Sequence, residues 1–140
     1  MIVQEFTLDK YNWLVRVYYA IRSYNFEAIE EDLESLGASP YDIEDAMSNL
    51  SKGLLNEGYI YSNLKTQKTI IIIGPTTSAS EFQDTLDHEK GHLAMHICLS
   101  ENIEPFSEEF QYLNGSIGHA LFKVARVFLC DHCRQGVLNG

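Results

Sequence analysis

The segment at residues 88–92 reads His-Glu-Lys-Gly-His, and its spacing constrains the fold more than any other feature of the chain. Residues four apart lie one turn apart on the same face of an α-helix, so a helix lets both imidazoles reach one metal ion. Glu89 is offset by one position, where a carboxylate can take a proton from a water molecule on the metal. The segment therefore predicts a helix in which His88 and His92 bind zinc and Glu89 is the general base.

The surrounding sequence supports this helix. Ser78 and Glu81 have the S-x-x-E spacing of a capping box, which predicts that the helix begins near Ser78. Glu89 lies at the edge of the expected apolar stripe and the two histidines lie just beyond it. We therefore expect a packed helix with its histidines at the margin, and the alternative is an exposed helix whose histidines bind nothing. Four downstream apolar residues follow helical spacing and form the stripe: Phe82, Leu86, Leu93 and Ile97.

A third zinc ligand has to come from elsewhere, because catalytic zinc takes three protein ligands and keeps one open position. His96 extends the series by another turn, but the three histidines would span about 12 Å of helix axis, too far for one ion. We expect His96 to be a packing residue or to support a ligand. The remaining source is a carboxylate on the next helix, where Glu108 and Glu109 follow a short loop.

A helix carrying H-E-x-x-H, followed by a helix that returns a glutamate, resembles the gluzincin arrangement of zinc peptidases. The run E-E-x-x-Y-L-x-G at residues 108–115 is similar to that of small zinc peptidases encoded by phages and mobile elements. The resemblance covers residues 59 to 133 and implies a zinc cofactor. It favours Glu108 as the third ligand, with Glu109 as the alternative. Tyr112 stands where larger gluzincins often have an aspartate that supports a histidine ligand, so that support is not implied here.

The same resemblance implies hydrolysis of peptide bonds. Glu89 would take a proton from water and return it to the leaving amine. The developing oxyanion needs a donor besides the metal. Tyr112 and His119 share a helix face with Glu108 and are the candidates, and a packing role is the alternative for each.

The order of elements predicts an α+β fold, in which a small sheet packs on the H-E-x-x-H helix and a following glutamate-bearing helix, as in a minimal zincin. The run of isoleucines at 70–73 indicates an interior strand covered on both faces, which leaves the strand at 59–61 as the free edge that a peptide could join. Strands are predicted at 1–8, 13–21, 59–61 and 69–73, and helices at 26–36 and from 40 to about 50.

Composition and charge exclude several functions. The 140 residues predict one domain over 1–140. A net charge of −10 argues against a nucleic-acid-binding surface, which needs clustered lysine and arginine. The sequence shows neither a signal peptide nor an apolar run of the ~20 residues that span a bilayer. We expect a cytoplasmic protein with a peptide or protein substrate and no nucleic-acid or membrane partner. The sequence leaves the oligomeric state open.

Three cysteines form a second feature. Cys130 and Cys133 make a C-x-x-C motif with His132 between them, and Cys98 stands alone. A redox C-x-x-C motif normally opens a helix, whereas this one is expected to close one. We therefore expect plain thiols or a labile disulfide. A second metal site is the alternative, and a redox role is less favoured.

Two other classes of function remain open. In the first, the chain is a non-enzymatic interaction module of a phage or mobile element with a structural zinc site, which its small size favours. The intact Glu89 favours the enzyme, since a structural site needs no base. In the second, the chain is an acidic inhibitor that places Glu30, Glu31 and Glu34 in a partner's basic groove.

Overall fold

The computed structural model describes residues 2–22, 25–53 and 55–139, and within these ranges the chain forms four strands and five α-helices. This confirms the α+β class. Short 3-10 turns follow the first strand and the fourth helix. The strands are β1 (Ile2–Leu8), β2 (Trp13–Tyr19), β3 (Gly58–Asn63) and β4 (Lys68–Ile73). The helices are α1 (Phe26–Ser35), α2 (Pro40–Ser51), α3 (Ala79–Glu101), α4 (Glu108–Ala125) and α5 (Asp131–Asn139).

The strands form one mixed sheet in the order β1-β2-β4-β3. β1 is antiparallel to β2, β2 is parallel to β4, and β3 is antiparallel to β4. β4 is therefore an interior strand, as predicted. β3 pairs with β4 alone among the described strands, so its other edge carries no strand and the predicted free edge is confirmed. β1 also confirms the strand predicted over 1–8, except at Met1, which lies outside the described residues.

The sheet separates two apolar layers. Ile71 and Ile73 of β4 pack with α3 and α4, whereas Ile70 and Ile72 pack with α1 and α2. Alternate residues of a strand point to opposite faces. All four isoleucines are fully buried because both faces of β4 are covered. A run of isoleucines without polar alternation is the sequence pattern of such a strand.

Serine caps fix where three helices begin. Ser39 Oγ accepts a hydrogen bond from the Asp42 backbone N–H, and Ser78 Oγ accepts one from Glu81. Ser107 caps α4 in the same way. Each cap satisfies one backbone donor that the first helical turn leaves unpaired. The predicted starts at Ser39 and Ser78 are confirmed. Among the described residues, no helix has the length and apolar character needed to cross a bilayer.

The end of the chain differs from the prediction. The prediction that the C-x-x-C motif closes a helix is wrong, because the motif opens α5 instead. α4 ends at Ala125, and Cys130 stands directly before the first residue of α5. The apolar spacing of α4 continues into the 3-10 turn at Arg126–Phe128, where Phe128 is buried, so the pattern alone does not show where the helix stops.

Candidate metal centre

Two imidazoles of α3 lie side by side at its surface. Nε2 of His88 is 3.1 Å from Nε2 of His92, and the two rings meet edge to face with centroids 4.7 Å apart. Zinc–nitrogen bonds of 2.0–2.1 Å in tetrahedral geometry place two ligand nitrogens about 3.3 Å apart. The exposed pair is therefore spaced to bind one ion from the solvent side, as the sequence predicts.

Glu89 lies on the inner side of this pair. Its side chain is only 4 % exposed, and its Oε2 atom has no hydrogen-bond partner among the described residues. Burial raises the pKa of Glu89, while the neighbouring His88 opposes the shift. A buried carboxylate oxygen without a partner is costly, and an acid with a perturbed pKa in a cleft is a candidate functional group.

Glu89 and His88 open into a cleft of about 310 Å³ between α3 and the start of β3. Asn56 anchors the near wall: its carbonyl accepts a hydrogen bond from Thr85 Oγ1 at 3.0 Å, and its N–H donates to the Pro75 carbonyl at 2.8 Å. The chain before β3 is thereby tied to the helix that carries the histidines. The cleft is lined by Asn56, Glu57, Gly58, Asp84, Thr85, His88 and Glu89.

His96 belongs to a chain of polar groups that runs from the buried Trp13 and Thr69 to the partly buried Ser62. Trp13 Nε1 donates to Thr69 Oγ1 at 2.8 Å, the Thr69 and Ser62 hydroxyls are 2.7 Å apart, and Ser62 Oγ is 2.7 Å from His96 Nδ1. Tryptophan only donates, so Thr69 Oγ1 accepts from Trp13, and the Thr69 and Ser62 hydroxyls can each donate or accept in the other two contacts. The neutral imidazole of His96 can use Nδ1 as donor or as acceptor in this chain. Burial, and then His92, lower the pKa of His96, which favours this neutral ring.

The structure does not bring Glu108 or Glu109 to the histidine pair. The Glu109 carboxylate accepts a hydrogen bond from the Tyr11 hydroxyl at 3.2 Å and lies 3.5 Å from Lys10 Nζ. Gly118 of α4 lies opposite Lys90, which stands between the two histidines in α3. Glu108 precedes Gly118 by ten residues, roughly 15 Å of helix axis. Within the described ranges, no group of three or more His, Cys, Asp and Glu side chains could hold a metal ion.

Tyr112 and His119, the predicted oxyanion donors, lie in a different place. Both are exposed and line a second cavity of about 290 Å³ between α4 and the end of β1. Lys10 and Tyr11 line the same cavity. It shares no lining residue with the His88 cleft, so the structure does not assemble either donor with Glu89.

Two carboxylates of the cleft were missed by sequence reasoning. Asp84 precedes His88 by one helical turn, so the same four-residue spacing could have identified it. Glu57 had no comparable signal, because it joins the site only through the packing of β3 on α3.

Comparison with known proteins finds no protein family, no curated protein and no solved structure that matches this chain.

Proposed function

We propose that this protein is a zinc-dependent peptidase with a minimal zincin-like fold, in which His88 and His92 bind the metal and Glu89 is the general base. One observation carries the proposal. Two imidazole nitrogens are spaced for one ion next to a buried carboxylate oxygen that has no hydrogen-bond partner among the described residues, and His88 and Glu89 line a cleft at the start of the edge strand β3.

Each part of the cleft has a chemical use in peptide hydrolysis. A zinc ion held by the histidines would supply a Lewis acid for water and for the substrate carbonyl. Glu89 has a free acceptor at Oε2, where it can hold the proton that it takes from water and gives to the leaving amine. Burial raises the pKa of Glu89, and a higher pKa suits a group that must accept a proton and then donate it. The main chain of a peptide can pair with the free edge of β3 and present a carbonyl to the cleft.

The third protein ligand has to come from an element other than α3. A residue one further turn along this helix, such as His96, is too far along the axis to reach the same ion. Glu57 meets this condition and lines the same cleft as His88. Glu108, by contrast, lies roughly 15 Å along α4 from Gly118, which faces Lys90 between the two histidines. We therefore include Glu57 in the proposed metal site and keep Glu108 as the alternative from the family resemblance.

A non-enzymatic module with structural zinc is the competing proposal. Structural zinc sites are closed by four protein ligands and need no base. The exposed histidine pair and the unpaired oxygen of Glu89 favour the enzyme over this module. The cytoplasmic location and the acidic-inhibitor function stay predictions.

Metal content tests the proposal directly. Wild type, His92→Ala and the control His119→Ala are saturated with zinc, dialysed and assayed for metal per chain, with circular dichroism to confirm folding. We expect about one zinc in wild type and in the control, since His119 lies outside the cleft, and none in His92→Ala. Zinc retained in His92→Ala would place the metal elsewhere. Folded wild type that takes up no zinc would contradict the proposal.

A further inference from the structure

Cys130 and Cys133 are placed to react with each other. Cys130 directly precedes α5 and its carbonyl accepts a hydrogen bond from the Arg134 N–H at 2.8 Å, so it occupies the N-cap position. Positions three apart at a helix start have Cα atoms about 5 Å apart, inside the 4.4–6.8 Å window of disulfide bonds. Both thiols are free and exposed, whereas Cys98 is free but buried.

The first turn of α5 is held firmly to the body of the protein. Asp131 Oδ1 accepts a hydrogen bond from the Ala79 N–H at the start of α3. The buried Arg134 guanidinium donates to the carbonyls of Thr76 and Thr77 at 2.7 and 3.1 Å. Asp131 and Arg134, which make these contacts, each directly follow one of the two cysteines in the chain. They keep the short terminal helix from fraying at the end where Cys130 lies.

The two thiols have different chemical environments. Cys130 directly precedes the first turn of α5, which is the positive end of the helix dipole. Backbone and thiol hydrogen bonds from Cys133, and then the His132 N–H, lower the pKa of Cys130. The same contact with Cys130 raises the pKa of Cys133. The thiolate is the reactive form of cysteine, and a helix N-terminus stabilises it. Cys130 is therefore the better nucleophile of the pair.

We propose that Cys130 and Cys133 form a thiol–disulfide exchange site, with Cys130 as the attacking thiol and Cys133 as the resolving thiol. The oxidant is a small disulfide such as oxidised glutathione. The Cys130 sulfur forms a bond to one glutathione sulfur, and the S–S bond of glutathione breaks. The other glutathione leaves as a thiol that carries the proton from Cys130. Cys133 sulfur then attacks Cys130 sulfur, and the second glutathione leaves with the Cys133 proton. One disulfide is reduced to two thiols while two cysteines are oxidised, and neither step involves the metal centre.

The full-length protein can be tested in buffers of reduced and oxidised glutathione, with acid quenching, alkylation and mass spectrometry. We expect wild type to form a bond between Cys130 and Cys133 while Cys98 stays a thiol. Cys133→Ser should accumulate glutathione on Cys130. Cys130→Ser should react at Cys133 at least about tenfold more slowly than Cys130 does in Cys133→Ser. Cys98→Ala is the control and should behave as wild type.

Three results would overturn the proposal: wild type that stays fully reduced in excess oxidised glutathione, a stable glutathione adduct on wild type without the internal bond, or faster reaction at Cys133 than at Cys130. Both cysteines are exposed, so serine at either position leaves the core intact, and circular dichroism verifies this. The assay contains no peptide substrate, so its outcome is separate from that of the peptidase proposal.

Discussion

Gly58, the first residue of β3, lies directly against the side chain of Glu89. A Cβ atom on Gly58 would be 2.8 Å from Glu89 Cγ and 3.1 Å from both Glu89 Oε1 and the Ile72 carbonyl oxygen. The first distance is shorter than real Cβ contacts, and the carbonyl is backbone that cannot rotate away. The absence of a side chain at Gly58 therefore lets the strand edge and the buried carboxylate share one cleft.

Gly58→Ala should destabilise the protein by about 1–3 kcal/mol, because the methyl group overpacks the contact with Glu89. Gly91→Ala is the matched control, since a Cβ there meets nothing within 4 Å. In the middle of α3 that change should stabilise the protein by about 0.5–1 kcal/mol. Urea unfolding measures both. Equal stability of Gly58→Ala and wild type would show that the contact is not tight.

Glu89→Gln should abolish peptidase activity while metal content and fold stay intact. The amide keeps the shape of the side chain but cannot accept the proton, and the loss of a general base costs about 10²–10⁴-fold in rate. Cleavage of a mixture of unfolded-protein peptides, read by mass spectrometry, measures activity. Glu44→Gln on the exposed face of α2 is the control. An unchanged cleavage rate in Glu89→Gln would remove Glu89 from the mechanism.

Glu57→Gln should weaken zinc binding by at least about tenfold, because it removes a carboxylate from the cleft that holds His88. Glu108→Gln should leave the affinity unchanged, since Glu108 begins α4 far from the pair. Competition with a zinc chelator measures both affinities. The opposite result, with Glu108 needed and Glu57 dispensable, would mean that α4 moves to the histidines when metal binds.

Ser62→Ala should break the polar chain between Trp13 and His96. The buried Thr69 hydroxyl would lose a hydrogen-bond partner, which costs about 1–3 kcal/mol. Ser116→Ala on the exposed face of α4 is the control and should change stability little. Urea unfolding measures the loss, and nitrogen NMR of wild type assigns the His96 tautomer and with it the direction of the chain. An unchanged free energy of unfolding in Ser62→Ala would show that the chain does not stabilise the fold.

The protein should lose stability at alkaline pH through Tyr18. Burial, and then the hydrogen bond that its hydroxyl donates to Asp32, raise the pKa of Tyr18 to about 12. Unfolded tyrosine ionises near pH 10, so this stabilisation is complete below pH 10 and is lost as the pH rises through 12. Tyr18→Phe should show a smaller fall in the free energy of unfolding between pH 9 and 12. Tyr41→Phe is the control, because the Tyr41 side chain is 78 % exposed, and its free energy of unfolding should fall as much as that of wild type.

Local signals were sufficient for the elements that carry the site. The serine caps at Ser39 and Ser78 predict where α2 and α3 begin, because a cap involves groups only three residues apart. The spacing of His88 and His92 predicts their convergence for the same reason. The C-x-x-C motif was misassigned because an apolar pattern that runs from α4 into a 3-10 turn looks like a longer helix.

The sequence alone determined the helix that presents His88, Glu89 and His92, and the buried strand that supports it, since period and capping are properties of neighbouring residues. Only the tertiary structure decided what meets Glu89. Gly58 reaches it through the packing of β3 on α3, and Glu109 is held instead by Tyr11, 98 residues away. Such contacts depend on how the helices are placed on the sheet, and that placement follows from burying both faces of β4 at once. No local spacing encodes it.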